Sequence, residues 1–405
     1  MSSFGVGFSE LTNSFLAGKQ AGEQALSSIQ NPDNLKICFL FCTSRHEPEG
    51  FFEGVKSVIN HCPFMGGFSN GSITNDQFGY DGYQCVVGLL CSDTISVDLF
   101  ISEGIAFNEF NTGSSLFGQI DREKYKASIP FILLFDAVNR EKGYFQMNFG
   151  TPLFEGAKQH LEAWPNVAGA RLMGDMKFKP TNQWFENRMT HNAAMLAAMN
   201  GPVEMETVIL QGCSPASAYH KVTKAKDAVI LEIDNQPALD FVSNFLGPAV
   251  KDDLQKIKFF VTLGKNVGDK WDRNNAHYVN RMCVGIDPAN KGLIMAESDM
   301  GEGTEIQLMR RGFDLNKIES EISALVTSVK MKNRKPIFAF YFNCAGRATA
   351  YSQQNEEDAV YVQYAVKNEF PLLGIYEAGE MAKINEDLEV LDWSGVFCLF
   401  SEPKE

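Results

Sequence analysis

Gly67-Phe68-Ser69-Asn70-Gly71 has the spacing G-x-S-x-G. In that motif a sharp strand-to-helix turn exposes a nucleophilic serine. The chemistry needs a helix to begin at once, and an acid and a histidine to follow. The next residues, SITNDQFGYDGY, carry two glycines and no apolar periodicity, and nothing ties His191, His220 or His277 to Ser69. Gly67 and Ser69 therefore read as structural or ligand-contacting loop residues. A serine hydrolase acting through Ser69 stays as an alternative.

A second cluster could bind rather than react. Asn343-Cys344-Ala345-Gly346-Arg347 closes the apolar run Ile337–Phe342, and strand ends are where open sheets hold ligands. Small residues at Cys344 and Gly346 let a partner approach the Arg347 guanidinium closely. Gly374-Ile375-Tyr376-Glu377-Ala378-Gly379-Glu380 supplies the opposite charge. Arg347 on a carboxylate and Glu380 on an ammonium would clamp a zwitterion, with Tyr376 beside them and Arg281 a third member. The bland alternative is that Arg347 and Glu380 pair with each other. Haem would need an axial side chain in an apolar pocket. Of the six histidines, His191 precedes an apolar run and His61 lies beside Cys62-Pro63, so either is the candidate if haem is bound. The sequence contains no zinc-type spacing, Walker loop or C-x-x-C pair. The expectation is no metal, no catalytic residue and no enzyme.

The elements that position these clusters follow from periodicity. Ser9–Ile29 reads as a helix, with Gly18 and Gly22 as weak points. A pattern of strand, helix, glycine-rich turn and strand then occurs three times. Ile37–Cys42, Gly50–Asn60, Pro63–Gly71 and Cys85–Cys91 make the first copy. Ile129–Phe135 opens the second, where Gly156, Lys158 and Pro165 echo Gly54, Lys56 and Pro63 at a constant offset and Gly67 maps to Gly169. Ile337–Phe342 opens the third, with a helix over Glu356–Lys367 and a turn over Pro371–Gly379. Between the last two copies, Ala228–Asp234, Phe259–Leu263, Met282–Gly285 and Leu293–Ala296 read as strands, and Ala238–Leu246 and Ile318–Val329 as helices, the former stopped by Gly247-Pro248. The fold class is α/β to α+β, with mixed sheets flanked by helices and built from repeated strand–helix–glycine-turn–strand units. The main boundary falls near Asn235. It separates residues 1–234, with related units at about 34–105 and 129–215, from residues 235–405.

Composition bounds the partners. Thirty-six Lys and Arg against 50 Asp and Glu give a formal charge of −14, which repels nucleic acid and anionic lipid. No apolar run has membrane-spanning length, and MSSFGVGFSELTNS lacks the basic start and apolar stretch of a secretory signal. Nine cysteines, mostly within apolar runs, read as buried thiols of a reducing cytoplasm.

At these residues the chain resembles the FIST (F-box and intracellular signal transduction) proteins. The N-terminal resemblance rests on Pro63–Gly71 (PFMGGFSNG), Val208–Ala216 (VILQGCSPA) and Ile233–Leu246 (IDNQPALDFVSNFL). The C-terminal resemblance rests on Arg281–Pro288 (RMCVGIDP), Cys344–Arg347 (CAGR) and Gly374–Met381 (GIYEAGEM). The resemblance implies a cytoplasmic sensor with FIST N-terminal and C-terminal modules. Its ligand would be a small polar molecule such as an amino acid. Its partner would be a separate signalling protein, such as a histidine kinase or a cyclic-di-nucleotide enzyme. Some stand-alone members resemble haem-dependent nitric-oxide sensors, which makes haem the alternative cofactor.

Overall fold

The computed structural model describes residues 2–404 except 30, 122, 127, 140, 142–146, 248–256, 258–259, 272–276 and 313. Phe259 and Pro248 of the expected elements lie outside the described residues.

Three six-stranded sheets and one larger sheet carry the fold. The first sheet runs Ser3–Ser9, Cys85–Cys91, Leu35–Cys42, Phe64–Phe68, Gln183–Phe185 and Arg188–Thr190. The second runs Ser96–Glu103, Ala193–Asn200, Pro130–Asp136, Asn166–Leu172, Glu380–Ile384 and Asp387–Leu391. The third runs Glu204–Gln211, Ser394–Pro403, Arg334–Cys344, Leu372–Glu377, Gly71–Ile73 and Phe78–Tyr80. All three share one order of pairings: two antiparallel ladders, one parallel ladder, then an antiparallel hairpin.

The hairpins are exchanged. Gly71–Tyr80 follows the first sheet in sequence but completes the third, residues 183–190 complete the first, and Glu380–Leu391 completes the second. Strands from both sides of Asn235 thus share sheets.

Each sheet buries one face under a pair of helices: Ser14–Ser27 with Pro48–Lys56, Glu109–Phe117 with Gly150–Lys158, and Leu315–Met331 with Asp358–Val366. The inner faces meet in one central core containing Phe39, Leu134 and Phe340. There Phe338 stacks between Phe4 and Phe400, at centroid distances of 4.1 and 4.3 Å. Burial of both faces explains why the central strands read as continuous apolar runs rather than alternating ones.

Two expectations change here. The N-terminal helix begins at Ser14, where Asn13 caps the Leu16 amide, because Ser3–Ser9 is a strand of the first sheet. The glycine-rich segments expected as turns are largely strands, Phe64–Phe68, Asn166–Leu172 and Leu372–Glu377. Glycine serves there for close approach. A Cβ on Gly66 would lie 1.9 Å from the Leu40 carbonyl oxygen, and one on Gly169 would lie 1.8 Å from that of Leu133. Gly66, rather than Gly67, is the residue in register with Gly169. Gly54 and Gly156 likewise let the helix pairs touch, since a Cβ would stand 2.1 Å from the Phe15 oxygen and 1.9 Å from the Phe110 oxygen.

Among the described residues the fourth sheet has eight strands, including Cys213–Pro215, His220–Lys226, Tyr278–Asp287 and Glu305–Arg311. Glu305–Arg311 pairs with both His220–Lys226 and Thr262–Asn266, so the ladder closes into a ring that leaves few free edges. Its interior is filled by residues such as Ile230, Leu263 and Cys283. Helix Ala238–Leu246 packs against it with the bounds expected from sequence.

Candidate functional site

Arg347 stands in a short turn at the end of strand Arg334–Cys344, as the sequence suggests, and is fully buried. Its Nε donates to Asp358 Oδ2 at 2.8 Å, and its Nη1 donates to the Leu210 carbonyl at 3.0 Å. Tyr341 Oη and Asn343 Nδ2 also donate to Asp358, each at 2.9 Å. Arg281 is buried on the fourth sheet. It donates to both oxygens of Asp299, at 2.7 and 2.8 Å, and to Glu389 at 3.2 Å. Asp299, between Arg281 and Lys265, is held well below the usual carboxylate range despite its burial. A third buried arginine, Arg171, bonds Glu297 and Asp392, both at 2.9 Å. Arg171 and Arg281 therefore stitch the second sheet and its neighbours to the fourth.

Glu380 is fully buried at the head of its strand, and no other residue hydrogen-bonds to its oxygens among the described residues. Burial raises its pKa well above the ordinary value and the Asp392 charge raises it further, against the pull of Arg347. Burial thus shifts Glu380 toward its neutral form, and no hydrogen bond joins it to Arg347 among the described residues.

Gly67 lies within the Phe64–Phe68 strand. Ser69 follows that strand, fully buried, with its amide on the Cys42 carbonyl at 2.8 Å and no partner for its Oγ among the described residues. No helix starts after it, so the nucleophile-elbow geometry is missing. Tyr376 packs into the core beneath the helices of the third sheet, edge-on to Tyr80. His61 and His191 are exposed. Neither enters an apolar pocket, so neither fits the axial position of a haem.

Two of the expected residues, Cys344 and Gly346, line a cavity of about 340 Å³ where the second, third and fourth sheets meet. Its walls are Met147, Met173, Met176, Met282, Tyr351 and Trp393. A Cβ on Gly346 would lie 2.6 Å from the Trp393 ring, so glycine lets the indole form that wall. Methionine gives such walls an adaptable apolar surface. Burial pushes the Cys344 thiol well up, and it is a poor nucleophile as a result.

Two polar groups break the apolar lining. Glu377 ends the Leu372–Glu377 strand and is fully buried. Its Oε2 accepts from the Met173 amide at 3.2 Å, and its Oε1 has no partner among the described residues. Burial raises its pKa well above normal, opposed by the Met173 amide and reinforced by Glu380. Arg311 ends the Glu305–Arg311 strand. Its guanidinium lies between two rings, 4.5 Å from the Phe260 centroid and 4.3 Å from that of Trp393. No carboxylate pairs with it among the described residues. The cavity thus offers a cation, a carboxyl that burial shifts toward its neutral form, and apolar walls.

Sequence reasoning noticed Glu377 only as part of a polar cluster and passed over Arg311. The strand period carries a signal for Glu377. Tyr376 points under the helices, so its neighbour must point to the sheet's other face, at the strand end. The methionine walls come from three separate segments and leave no local signal.

Residues 36–236 match the FIST N domain, and residues 238–383 match the FIST C domain. The chain belongs to the FIST family. FIST domains are generally associated with signal transduction and small-ligand sensing. Relatives of this FIST chain include two uncharacterized proteins of Mycobacterium tuberculosis, MT0656 of strain CDC 1551 / Oshkosh and Rv0628c of strain ATCC 25618 / H37Rv. Each is 22% identical over 223 residues, covering 54% of this chain and 55% of the relative. The chain thus spans about half the length of the curated relatives it matches. Among solved structures, the cyanuric acid hydrolase from A. caulinodans aligns over 100% of both chains at TM-score 0.32 and 8% identity. PurLQS from Thermotoga maritima aligns over 99% of this FIST chain and 72% of that chain, at TM-score 0.23 and 8% identity. No described helix of the FIST chain is long and apolar enough to cross a membrane.

Proposed function

We propose that this FIST protein is a small-molecule sensor that binds its ligand in the methionine-walled cavity and passes the signal to a separate partner without turning the ligand over. The observation that carries this reading is Glu377, a fully buried residue of the cavity lining whose Oε1 lacks a partner among the described residues. Such an atom costs about 1–3 kcal/mol unless something bonds to it, and a ligand is what the cavity admits. The volume falls within the ordinary range for small-molecule sites.

The location supports signalling. Cys344 and Glu377 belong to the third sheet, Met173 follows the second, and Met282 and Arg311 belong to the fourth. A ligand touching all of them favours one arrangement of these sheets over others, and a partner can read that preference. Binding without turnover is supported by Ser69, which is buried and has no base within hydrogen-bond reach among the described residues, and by the burial that pushes the Cys344 thiol well up.

The test uses the mouth of the cavity. Ala350 is exposed and lines it, so Ala350→Trp should plug the entrance and leave the fold intact. Native mass spectrometry of the purified protein should find a small molecule bound one-to-one, absent from Ala350→Trp. Chemical conversion of that molecule by the protein, or equal occupancy in the plugged variant, would sink the reading.

A further inference from the structure

We infer that the cavity takes a singly charged anion with an apolar body, its acidic head on the Arg311 guanidinium and an acceptor atom on the Glu377 carboxyl. The inference rests on the proposed ligand role of this cavity and adds the chemical class of the ligand. It replaces the polar zwitterion expected from Arg347 and Glu380.

The argument begins with what each buried arginine has. Arg171, Arg281 and Arg347 are all fully enclosed, and each reaches at least one carboxylate within 2.9 Å. Arg311 is only partly buried, and aromatic faces hold it on two sides. Those faces orient a guanidinium without neutralising it. Its planar fork of N–H donors suits a carboxylate, sulfonate or phosphate oxygen pair.

The rest of the lining excludes other classes. A positive charge on the ligand would meet Arg311 and four methionine thioethers. Burial shifts Glu377 toward its neutral, hydrogen-bond-donating form, which weakens its pull on a cation. A wholly polar ligand would forfeit its hydration against the methionines, Trp393 and Ala378. The approach also favours an anion. A polar depression beside the cavity shares Met176 and Tyr351 with it and carries Arg45, Lys177 and Lys179 against Asp81 and Asp175. That rim leans positive on a chain whose formal charge is −14. A positive lip draws anions toward an otherwise repelling surface.

Calorimetry with octyl probes tests this directly, because chain length stays fixed while the head changes. At pH 7 the full chain should bind octanoate or octanesulfonate at least tenfold tighter than octan-1-ol, and octylammonium should give no binding. Whichever anion binds tighter identifies the head as carboxylate or sulfonate. Arg311→Gln should weaken the anion at least tenfold and leave octan-1-ol unchanged. If octan-1-ol binds as well as the anions, the inference fails and the cavity remains a ligand site. If no probe of any charge binds, the cavity reading itself falls. The comparison of heads on the unmodified protein keeps the inference falsifiable should Arg311→Gln fold poorly.

Discussion

Arg347 follows a strand of the third sheet and Arg311 ends a strand of the fourth, yet they serve opposite ends. Around Arg347 the protein supplies an answering group: Asp358, itself bonded by Tyr341 and Asn343. Around Arg311 it supplies two aromatic rings and a cavity. A charge whose demands are met inside the molecule holds the fold together. A charge left facing an apolar hollow is available to something else. The pair shows that motif rank is a poor guide to role, since the conspicuous CAGR arginine is the structural one.

The comparison breaks first on stability. Asp358→Ala strands Arg347 in the core and should cost about 3–5 kcal/mol, seen as a large fall in the denaturant midpoint. A loss under about 1 kcal/mol would mean that Arg347 is not structurally committed. Exchanging Arg347 and Asp358 together for apolar residues should recover most of the loss.

Next in size is the pH dependence set by Glu380. Its folded pKa is raised, so the folded protein keeps a proton that the unfolded chain releases above about pH 4.3. Stability therefore falls as pH rises from that value toward the folded pKa, by up to about 1.4 kcal/mol per pH unit for this one group. Glu380→Gln removes that slope and should be more stable than the parent at pH 8, with the gap closing toward pH 5. Denaturant titrations at both values decide it. A gap that widens on acidification would show that Glu380 is ionised in the fold.

The smallest effect sharpens the contrast. Arg311→Gln loses only exposed-to-half-buried cation–π contacts and should cost about 0.5–1 kcal/mol. Its melting temperature should stay close to that of the parent. A loss as large as that of Asp358→Ala would return Arg311 to the structural class.

Much of the fold was legible because apolar period and stop signals are local. Ala238–Leu246 begins and ends where the sequence says, and Ile337–Phe342 lies inside the strand Arg334–Cys344. Gly66 was not legible as a strand residue. A glycine placed for the Leu40 carbonyl looks, in sequence, like a glycine placed for a turn. The site was legible only in part. Cys344 and Gly346 line the cavity, but the partner of Arg347 is a helix residue and that of Arg281 is a loop residue, and neither offered a spacing to read. Met147, Met173, Met176 and Met282 converge only after the sheets have assembled.

The exchanged hairpins have a consequence for the birth of the protein. Asn75 is held by Phe370 and Leu372, the latter 297 residues downstream. At ribosomal rates of about 5–20 residues per second, the Gly71–Tyr80 hairpin waits roughly 15–60 seconds for its neighbouring strand to be synthesised. During that interval it is an open edge able to pair with other nascent chains. Each of its strands is only three residues long, and polar Ser72, Thr74, Asn75 and Asp76 surround the turn. Brevity and polarity make the waiting strand a weak template, so a translation product can hold that joint open until Phe370 and Leu372 have been made.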